Sequence, residues 1–274
     1  MFDSVIYPSE EILDDRSPVP LTPYGMQTGL ELPPIRDYSG VAEPFPSDLI
    51  IPESEWKDWI EERESRKLQL SQQAILAGLP HKDQDGIPYC WIFAPVHCLE
   101  LIRMVQNQPM VELSPGWIGG IIKNYRKEGG WGREGLEGLI NTGTVPTTIC
   151  PEATIDRRYT TEENKQVALN YRGVEWWVLK TVAETISCLL RGIPVAVGLN
   201  WWGHEVTYYD AVWVNGKIGV RFRNSWKGYG DNGFAILQGS KMVPDDAVAL
   251  RTAIPYTRPS AEPCEPCPPC PTGP

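Results

Sequence analysis

The sequence predicts an α+β protein of two lobes, because helical patterns come first and antiparallel strands follow. Apolar residues recur at helical spacing up to about residue 191, and from residue 194 they alternate with a period near two. An Asn215-Gly216 pair between two such strands predicts a two-residue hairpin turn. The 274 residues divide into an extended Pro-rich arm (1–52), a helix and connector (53–80), a helical lobe (81–165), an antiparallel β lobe (166–254) and a Pro/Cys-rich tail (255–274).

Charge and hydropathy exclude several classes of protein. A net charge of −10 repels phosphate, so no nucleic-acid partner is expected. No apolar run approaches the length of a membrane span, and the first residues lack a basic segment followed by an apolar one. We therefore expect a soluble protein without a membrane partner or secretion signal, in the cytoplasm or within an assembled particle. An odd number of cysteines, seven, favours free thiols over a disulfide framework.

The arm is rich in proline. Its 52 residues contain nine prolines, which fix φ and lack a backbone N–H, so no helix or central strand can run far through it. Scattered apolar residues such as Leu13 and Leu30 favour a strap along the folded body over a free linker. We expect this strap to be retained in the active protein, because so few residues precede the first predicted helix.

Two long helical patterns follow the arm. A run that includes Trp56 predicts one helix over roughly 53–77, which we interpret as docking its tryptophans on the core, with an inhibitory pro-segment helix as the alternative. A second run predicts a helix over 90–105. Because a proline is harmless only in the first turn of a helix, Pro95 places the regular start near residues 90–92.

The remaining elements are shorter. Gly143 and Gly192 end two further helical patterns, and the strands after them alternate apolar and polar residues. These patterns predict helices over 133–141 and 176–191, and strands over 194–199, 204–214, 217–223 and 233–237.

Only three histidines are present as candidate general bases. His81 lies in a polar connector, which predicts a surface position. His97 lies two helical turns after Cys90, beyond hydrogen-bond reach of that sulfur, and is interpreted as a core residue. His204 opens a strand after a Gly203 turn, where a side chain can project into a cleft.

One cysteine has the setting that activates a thiol. Cys90 opens a predicted helix, and a helix N-terminus together with an imidazolium favours the thiolate. The 215–216 hairpin places positions near 207 opposite Asn224, within about one ladder step of His204, so the Asn224 amide can orient His204 while Trp226 shields that bond from water. The other cysteines of the folded part are interpreted as buried or incidental: Cys98, Cys150 and Cys188.

Four short motifs stand in order between about residues 84 and 237. They are Gln84-Asp85-Gly86-Ile87-Pro88-Tyr89-Cys90-Trp91-Ile92-Phe93-Ala94, Gly129-Gly130-Trp131-Gly132-Arg133-Glu134-Gly135-Leu136, Gly203-His204-Glu205-Val206, and Asn224-Ser225-Trp226 with the glycines after it. With these motifs in this order, the chain resembles the papain-like cysteine peptidases. The resemblance implies a papain-like fold, a helical lobe followed by an antiparallel β-barrel-like lobe, and hydrolysis of a peptide or protein substrate without a cofactor or metal.

The resemblance also implies a role for each motif residue. Cys90 matches the nucleophile, His204 the base and later acid, and Asn224 the residue that orients the histidine. Gln84 matches the side chain that supplies an oxyanion-hole amide beside the Cys90 backbone N–H. The positions that match substrate-binding residues are Gly129, Gly130, Trp131, Gly132, Gly203 and Trp226.

Four departures from the family pattern bear on location or on substrate preference, and one of them is Lys227, which stands where the family prefers glycine. Ile87 replaces a cysteine that closes a disulfide in secreted relatives, which favours an intracellular protein. Tyr89 replaces a small residue before the nucleophile and is expected to crowd the leaving-group side. The chain between Pro194 and His204 is short, so one cleft wall is expected to be reduced.

Two alternatives to an endopeptidase stay open. One is a cell-wall amidase of the related Cys/His fold. The other is a papain-fold structural or assembly protein, for instance in a virus particle, whose site is vestigial or acts once. The Pro-rich ends favour an assembly partner, because such ends often wrap neighbouring subunits. In a polyproline II tail, Cys264, Cys267 and Cys270 line one face too far apart to pair with each other, and they are candidates for contact with another chain.

Overall fold

The structure is a computed structural model and describes residues 2–23, 29–31 and 43–253. The strands are β1 (Glu11–Leu13), β2 (Glu43–Pro44), β3 (Gly173–Leu179), β4 (Val195–Leu199), β5 (His204–Val214), β6 (Lys217–Arg223), β7 (Phe234–Gln238) and β8 (Asp246–Ala253). The α-helices are α1 (Trp56–Ser65), α2 (Leu70–Leu76), α3 (Cys90–Val105), α4 (Pro115–Ile122), α5 (Gly132–Asn141), α6 (Glu162–Ala168) and α7 (Val182–Leu190). None of these helices is long and apolar enough to cross a bilayer.

All the described strands join one mixed sheet in the order β1-β7-β6-β5-β4-β8-β3-β2. Every pairing among the six strands β3 to β8 is antiparallel. In contrast, β1 lies parallel to β7 and β2 lies parallel to β3. Both edge strands come from the arm. Because an edge strand offers unpaired N–H and C=O groups, the arm covers both edges of the sheet formed by the rest of the chain.

Apolar side chains pack on both faces of this sheet. Ala196 and Val248 face α3, α4 and α5, and together they form the core of the helical lobe. Their neighbours Val195 and Val197 point to the other face, where α1 and α7 pack. The two cores meet along β4 and β8. The boundary between the lobes therefore lies at these two strands and at the start of β5.

The β5–β6 hairpin has the predicted turn but a different register. Asn215 and Gly216 both adopt positive φ, as this turn requires. A β-bulge between Tyr208 and Asp210 then shifts the pairing, so that Thr207 lies opposite Arg223. Continuing this register sets position 206 opposite Asn224, so positions near 207 face Asn224 as expected, with the one-residue shift that the bulge adds.

Two helix predictions are corrected. The run over 53–77 is broken into a 3-10 turn, α1 and α2, with Lys67 in the left-handed region between the two helices. The run over 176–191 is a strand followed by a helix, because the tryptophans of β3 pair with β8 instead of continuing α7. The true start of α7 carries a capping box between Thr181 and Glu184, a signal already present in the sequence.

The other predicted elements are confirmed with small shifts at their ends. The helix over 90–105 is α3, and α5, β4, β5, β6 and β7 occupy the predicted segments. Pro95 lies inside α3, beyond its first turn, so the start of the helix was predicted correctly although the proline is not confined to that turn.

The arm is fastened to the β lobe by a buried ion pair. Glu10 and Arg221 meet with Nε–Oε1 at 2.6 Å, and both side chains are almost fully buried. Arg221 also donates to the backbone oxygen of Val5. Further along, the indole of Trp202 donates to the Pro20 carbonyl at 3.0 Å. The arm therefore lies as a strap along the body; its retention in the active protein stays a prediction.

We expect Glu10→Gln to lower the free energy of unfolding by about 3–5 kcal/mol, because it leaves the Arg221 guanidinium buried without its counter-charge. Urea denaturation at pH 7 measures this loss. The matched control is Glu62→Gln, which removes an exposed ion pair with Arg66 and is expected to cost less than about 1 kcal/mol. Equal losses in the two variants would show that the arm is not fastened by this pair.

Candidate active site

Cys90 is the first residue of α3, directly after Tyr89, whose backbone is not helical. Its backbone N–H is one of the donors that a helix N-terminus leaves without an intrahelical acceptor. The thiol is completely buried. The backbone N–H of Glu205, the residue after His204, donates to the sulfur, which brings the start of α3 to the start of β5. Burial, and then the negative charge of Glu205, raise the pKa of the Cys90 thiol.

His204 and Asn224 form a hydrogen bond of 2.8 Å between Nε2 and Oδ1, and both side chains are completely buried. The Asn224 oxygen also accepts from the Ser225 backbone N–H at 2.8 Å, which fixes the orientation of the amide. An amide oxygen that accepts from Nε2 requires the proton on that nitrogen and leaves Nδ1 as the basic one. The structure thus brings these two predicted residues together.

Two tryptophans cover this hydrogen bond. The centroid of the Trp226 ring lies 4.5 Å from that of the His204 ring, and the Trp202 centroid lies 4.9 Å from it. Trp226 is almost fully buried. The structure therefore places Trp226 as the predicted shield and adds Trp202, which the sequence analysis did not single out.

Gln84 joins the loop before Cys90 to the loop that carries Asn224. Its amide nitrogen donates to the Ile87 carbonyl at 2.8 Å, and its amide oxygen accepts from the Ser225 hydroxyl at 2.7 Å. Its backbone N–H donates to the Ser225 carbonyl at 2.9 Å. Ser225 therefore holds Gln84 in place, a role that the motif position alone did not reveal.

His81 is not the surface residue that its polar surroundings predict. Its Nε2 lies 3.0 Å from the Asn224 carbonyl oxygen, so it supports the backbone of the loop that carries the amide. Burial, and then the positive charge of Arg223, lower its pKa to about 4. The sequence missed this contact because it joins residues that lie far apart in the chain.

Tyr89 points into the helical lobe. Its ring packs against Gly119, where a Cβ would lie 2.8 Å from ring atoms, and its hydroxyl donates to the Arg126 carbonyl at 2.7 Å. The expectation that Tyr89 crowds the leaving-group side is therefore wrong. Its size is accommodated by a glycine on α4.

The groove between the lobes holds part of the arm. The Gly130 backbone N–H donates to Gly29 at 2.9 Å, and its carbonyl accepts from Glu31 at 2.8 Å. From the other side of the groove, the Gly203 carbonyl accepts from Leu30 at 3.3 Å. Residues 29–31 thus lie extended across the groove, bound to both lobes through their backbone.

The glycines of the second motif allow this close approach. A Cβ at Gly129 would overlap Gly29, and a Cβ at Gly130 would press on the Trp91 ring. A Cβ at Gly132 would overlap the Glu205 carboxylate. Trp131 is half-buried beside these glycines, and the Lys123 Nζ lies over its ring, 5.2 Å from the centroid. The predicted set of backbone-contacting residues is therefore brought together at one edge of the groove.

The remaining predictions concern one histidine and the cysteines other than Cys90. His97 is buried, with its Nδ1 3.5 Å from the Thr207 hydroxyl, as a core residue should be. The thiols of Cys98, Cys150 and Cys188 are free and buried. The tail cysteines Cys264, Cys267 and Cys270 lie outside the described residues, so their proposed use stays a prediction.

Comparison with solved structures identifies the architecture. Xylellain, a cysteine protease from Xylella fastidiosa, superposes with a TM-score of 0.59 at 15% identity over 91% of this chain and 99% of its own. Digestive procathepsin L2 of Tenebrio molitor gives a TM-score of 0.58 at 16% identity over 83% of this chain and 78% of its own. Procathepsin L 3 of the same organism gives a TM-score of 0.53 at 16% identity over 64% of this chain and 66% of its own.

This protein has the papain-like fold. Bromelain from Ananas comosus, solved in complex with the E64 inhibitor, aligns with a TM-score of 0.53 at 18% identity, covering 64% of this chain and 92% of its own. No protein-family profile and no curated protein sequence matches the chain. The papain-like fold is thus recognised from structure and from four short motifs, whereas the overall sequence identity to these structures is 15–18%.

We expect acid to destabilise the protein through His81. Its pKa is about 4 in the fold and near 6.5 when unfolded, so between these values the unfolded chain binds more protons. The His81 contribution to stability is complete above pH 6.5 and is lost as the pH falls towards 4. Unfolding free energies of the wild type and His81→Gln, measured from pH 7 to pH 4.5, should converge as the pH falls. Parallel curves would contradict a neutral His81.

Proposed function

We propose that the protein is a papain-like cysteine peptidase that is acylated on Cys90 and closed by its own N-terminal arm. The observation that carries the proposal is the extended arm segment in the groove. Gly130 and Gly203, on opposite sides of the groove, hydrogen-bond to its backbone and not to particular side chains. A groove that binds a polypeptide in this way is suited to a peptide substrate.

The side chains around this groove fit the chemistry. Cys90 attacks the carbonyl carbon of the scissile bond, forming a C–S bond, while His204 accepts the thiol proton. The oxyanion accepts from the Cys90 backbone N–H and the second N–H of the Gln84 amide. His204 then gives the proton to the leaving amine as the C–N bond breaks. Water, deprotonated by His204, hydrolyses the thioester and restores the thiol.

The closed state keeps this machinery inactive. With the arm in place, Cys90 is buried and its pKa is raised, so the sulfur is a neutral thiol and a poor nucleophile. Withdrawal of the arm admits water to the groove. The helix N-terminus and His204 then favour the thiolate, as expected for an active enzyme of this class.

We expect the full-length protein with a displaced arm to hydrolyse peptide substrates, and Cys90→Ala and His204→Ala each to abolish turnover. Asn224→Ala should lower it by less, because only the orientation of the imidazole is lost. Labelling by an epoxysuccinyl peptide, located by peptide mapping, checks that Cys90 is the reacting thiol. Turnover by Cys90→Ala would refute the proposal. Absence of turnover in every variant would favour the assembly role, and cleavage of cell-wall peptides alone would favour the amidase.

The arm can be displaced by one substitution. Gly29 has a φ of +91°, and a Cβ there would overlap the Pro88 carbonyl, so Gly29→Val should lift residues 29–31 from the groove. We expect the rate of Cys90 labelling to rise at least about tenfold, equivalent to ~1.4 kcal/mol of lost arm affinity.

The matched control for this substitution is Gly78→Val. It imposes a similar left-handed strain, at a φ of +70°, where no atom lies within 4 Å of the new Cβ. Equal labelling of Cys90 in both variants would mean that the arm does not close the site.

A further inference from the structure

Three residues form a row across the floor of the groove. Gly198 of β4 lies opposite Glu205 of β5 and also opposite Asp246 of β8. Directly paired residues of an antiparallel sheet point to the same face. The row therefore presents two carboxylic side chains with a glycine between them, on the face that packs against α3 and α5.

The side chain of Leu30 lies above the glycine of this row. Its Cδ1 and Cδ2 atoms are 3.2 and 3.5 Å from the position that a Cβ of Gly198 would take. The neighbouring Gly132 leaves space for the Glu205 carboxylate, which a Cβ there would overlap. We call the site that the Leu30 side chain occupies, formed by Gly132, Gly198, Glu205 and Asp246, the Leu30 pocket.

The Leu30 pocket carries an uncompensated acidic group. Arg133 pairs with Asp246, with Nη2 and Oδ1 at 2.7 Å, and neutralises that carboxylate. Glu205 is 2% exposed, and among the described residues neither of its oxygens has a hydrogen-bond partner within normal geometry, although the Gly132 N–H points towards it. Burial, and then the charge of Asp246, raise the pKa of Glu205 well above its usual range.

We propose that Glu205 makes this pocket selective for a lysine or arginine side chain of the substrate. The proposal rests on the proposed peptidase function and names the substrate class of the same groove. The residue selected is the one whose side chain takes the place of Leu30.

The physical reason is the state of Glu205 with each occupant. A leucine leaves the carboxylate buried without a partner, and it must stay protonated. A cationic side chain lets it ionise and form charge-assisted hydrogen bonds in a site that excludes water. A site built to pair a polar group rejects an analogue that lacks that group by about 10²-fold or more. The two carboxylates and one guanidinium of the pocket leave one negative charge for the ligand to balance.

The arm itself offers a test that needs no turnover. Leu30→Lys places a cation in the pocket, and Leu30→Met provides a straight side chain without the charge. Hydrogen exchange of the Leu30-position and Gly130 amides at pH 7.5 reports how tightly the arm is bound in the full-length protein. We expect Leu30→Lys to slow this exchange at least tenfold relative to Leu30→Met. In the Glu205→Gln background the two should exchange alike, or Leu30→Lys should exchange faster.

A second experiment uses substrates. Peptide amides in which one position at a time before the scissile bond carries lysine, arginine or leucine are given to the full-length Gly29→Val protein. We expect kcat/KM at one of these positions to be at least tenfold higher for the cationic residues than for leucine, and Glu205→Gln to remove this preference. The control is Glu175→Gln, which makes the same change of net charge at an exposed ion pair with Arg251.

The two experiments separate the pocket from the reaction. Slower exchange of Leu30→Lys that depends on Glu205 supports the pocket even if no variant cleaves a peptide, in which case only the proposed function fails. Exchange of Leu30→Lys as fast as that of Leu30→Met with Glu205 intact overturns the pocket. A preference for leucine that Glu205→Gln leaves unchanged overturns it as well and assigns an apolar site.

Discussion

The arrangement of the site depends on one irregularity in the β5–β6 hairpin. With an unbroken register, position 207 would face Asn224, and His204 would point to the opposite face of the sheet. The bulge between Tyr208 and Asp210 moves the pairing by one residue, so continuing the ladder sets position 206 opposite Asn224. His204 then lies on the same face as the amide, and the 2.8 Å hydrogen bond forms.

The bulge is held by a part of the chain far from it in sequence. The Asp210 carboxylate accepts from the backbone N–H groups of Leu70 and Ser71, at 2.7 and 3.1 Å, at the start of α2. The extra residue, Tyr209, packs in a small apolar cluster with Leu70 and with Phe234, whose ring lies 5.1 Å away. The break between α1 and α2 therefore has a consequence for the site, because it lets a second helix begin where Asp210 can bind its first N–H groups.

The arm contributes to the fold and, under the proposed function, to regulation. Its β1 and β2 segments complete both edges of the sheet, and residues 29–31 cross the groove between them. Cys90 and Glu205 are both buried while the arm is in place, and burial raises the pKa of each group. Under the proposed function, withdrawal of the arm admits water to both groups and lowers both pKa values together.

Local patterns in the sequence determined most of the elements and the candidate residues. Pro95 and the apolar run around it predicted the helix that begins at Cys90, and Asn215-Gly216 predicted the hairpin. The papain-like fold was likewise evident in four motifs. Tertiary structure alone decided the register through the bulge, the partner of His81 and the isolation of Glu205 in its pocket. Periodicity and turn chemistry report on neighbours along the chain, whereas pairing across strands and the loss of water around a charge depend on residues brought together only by folding.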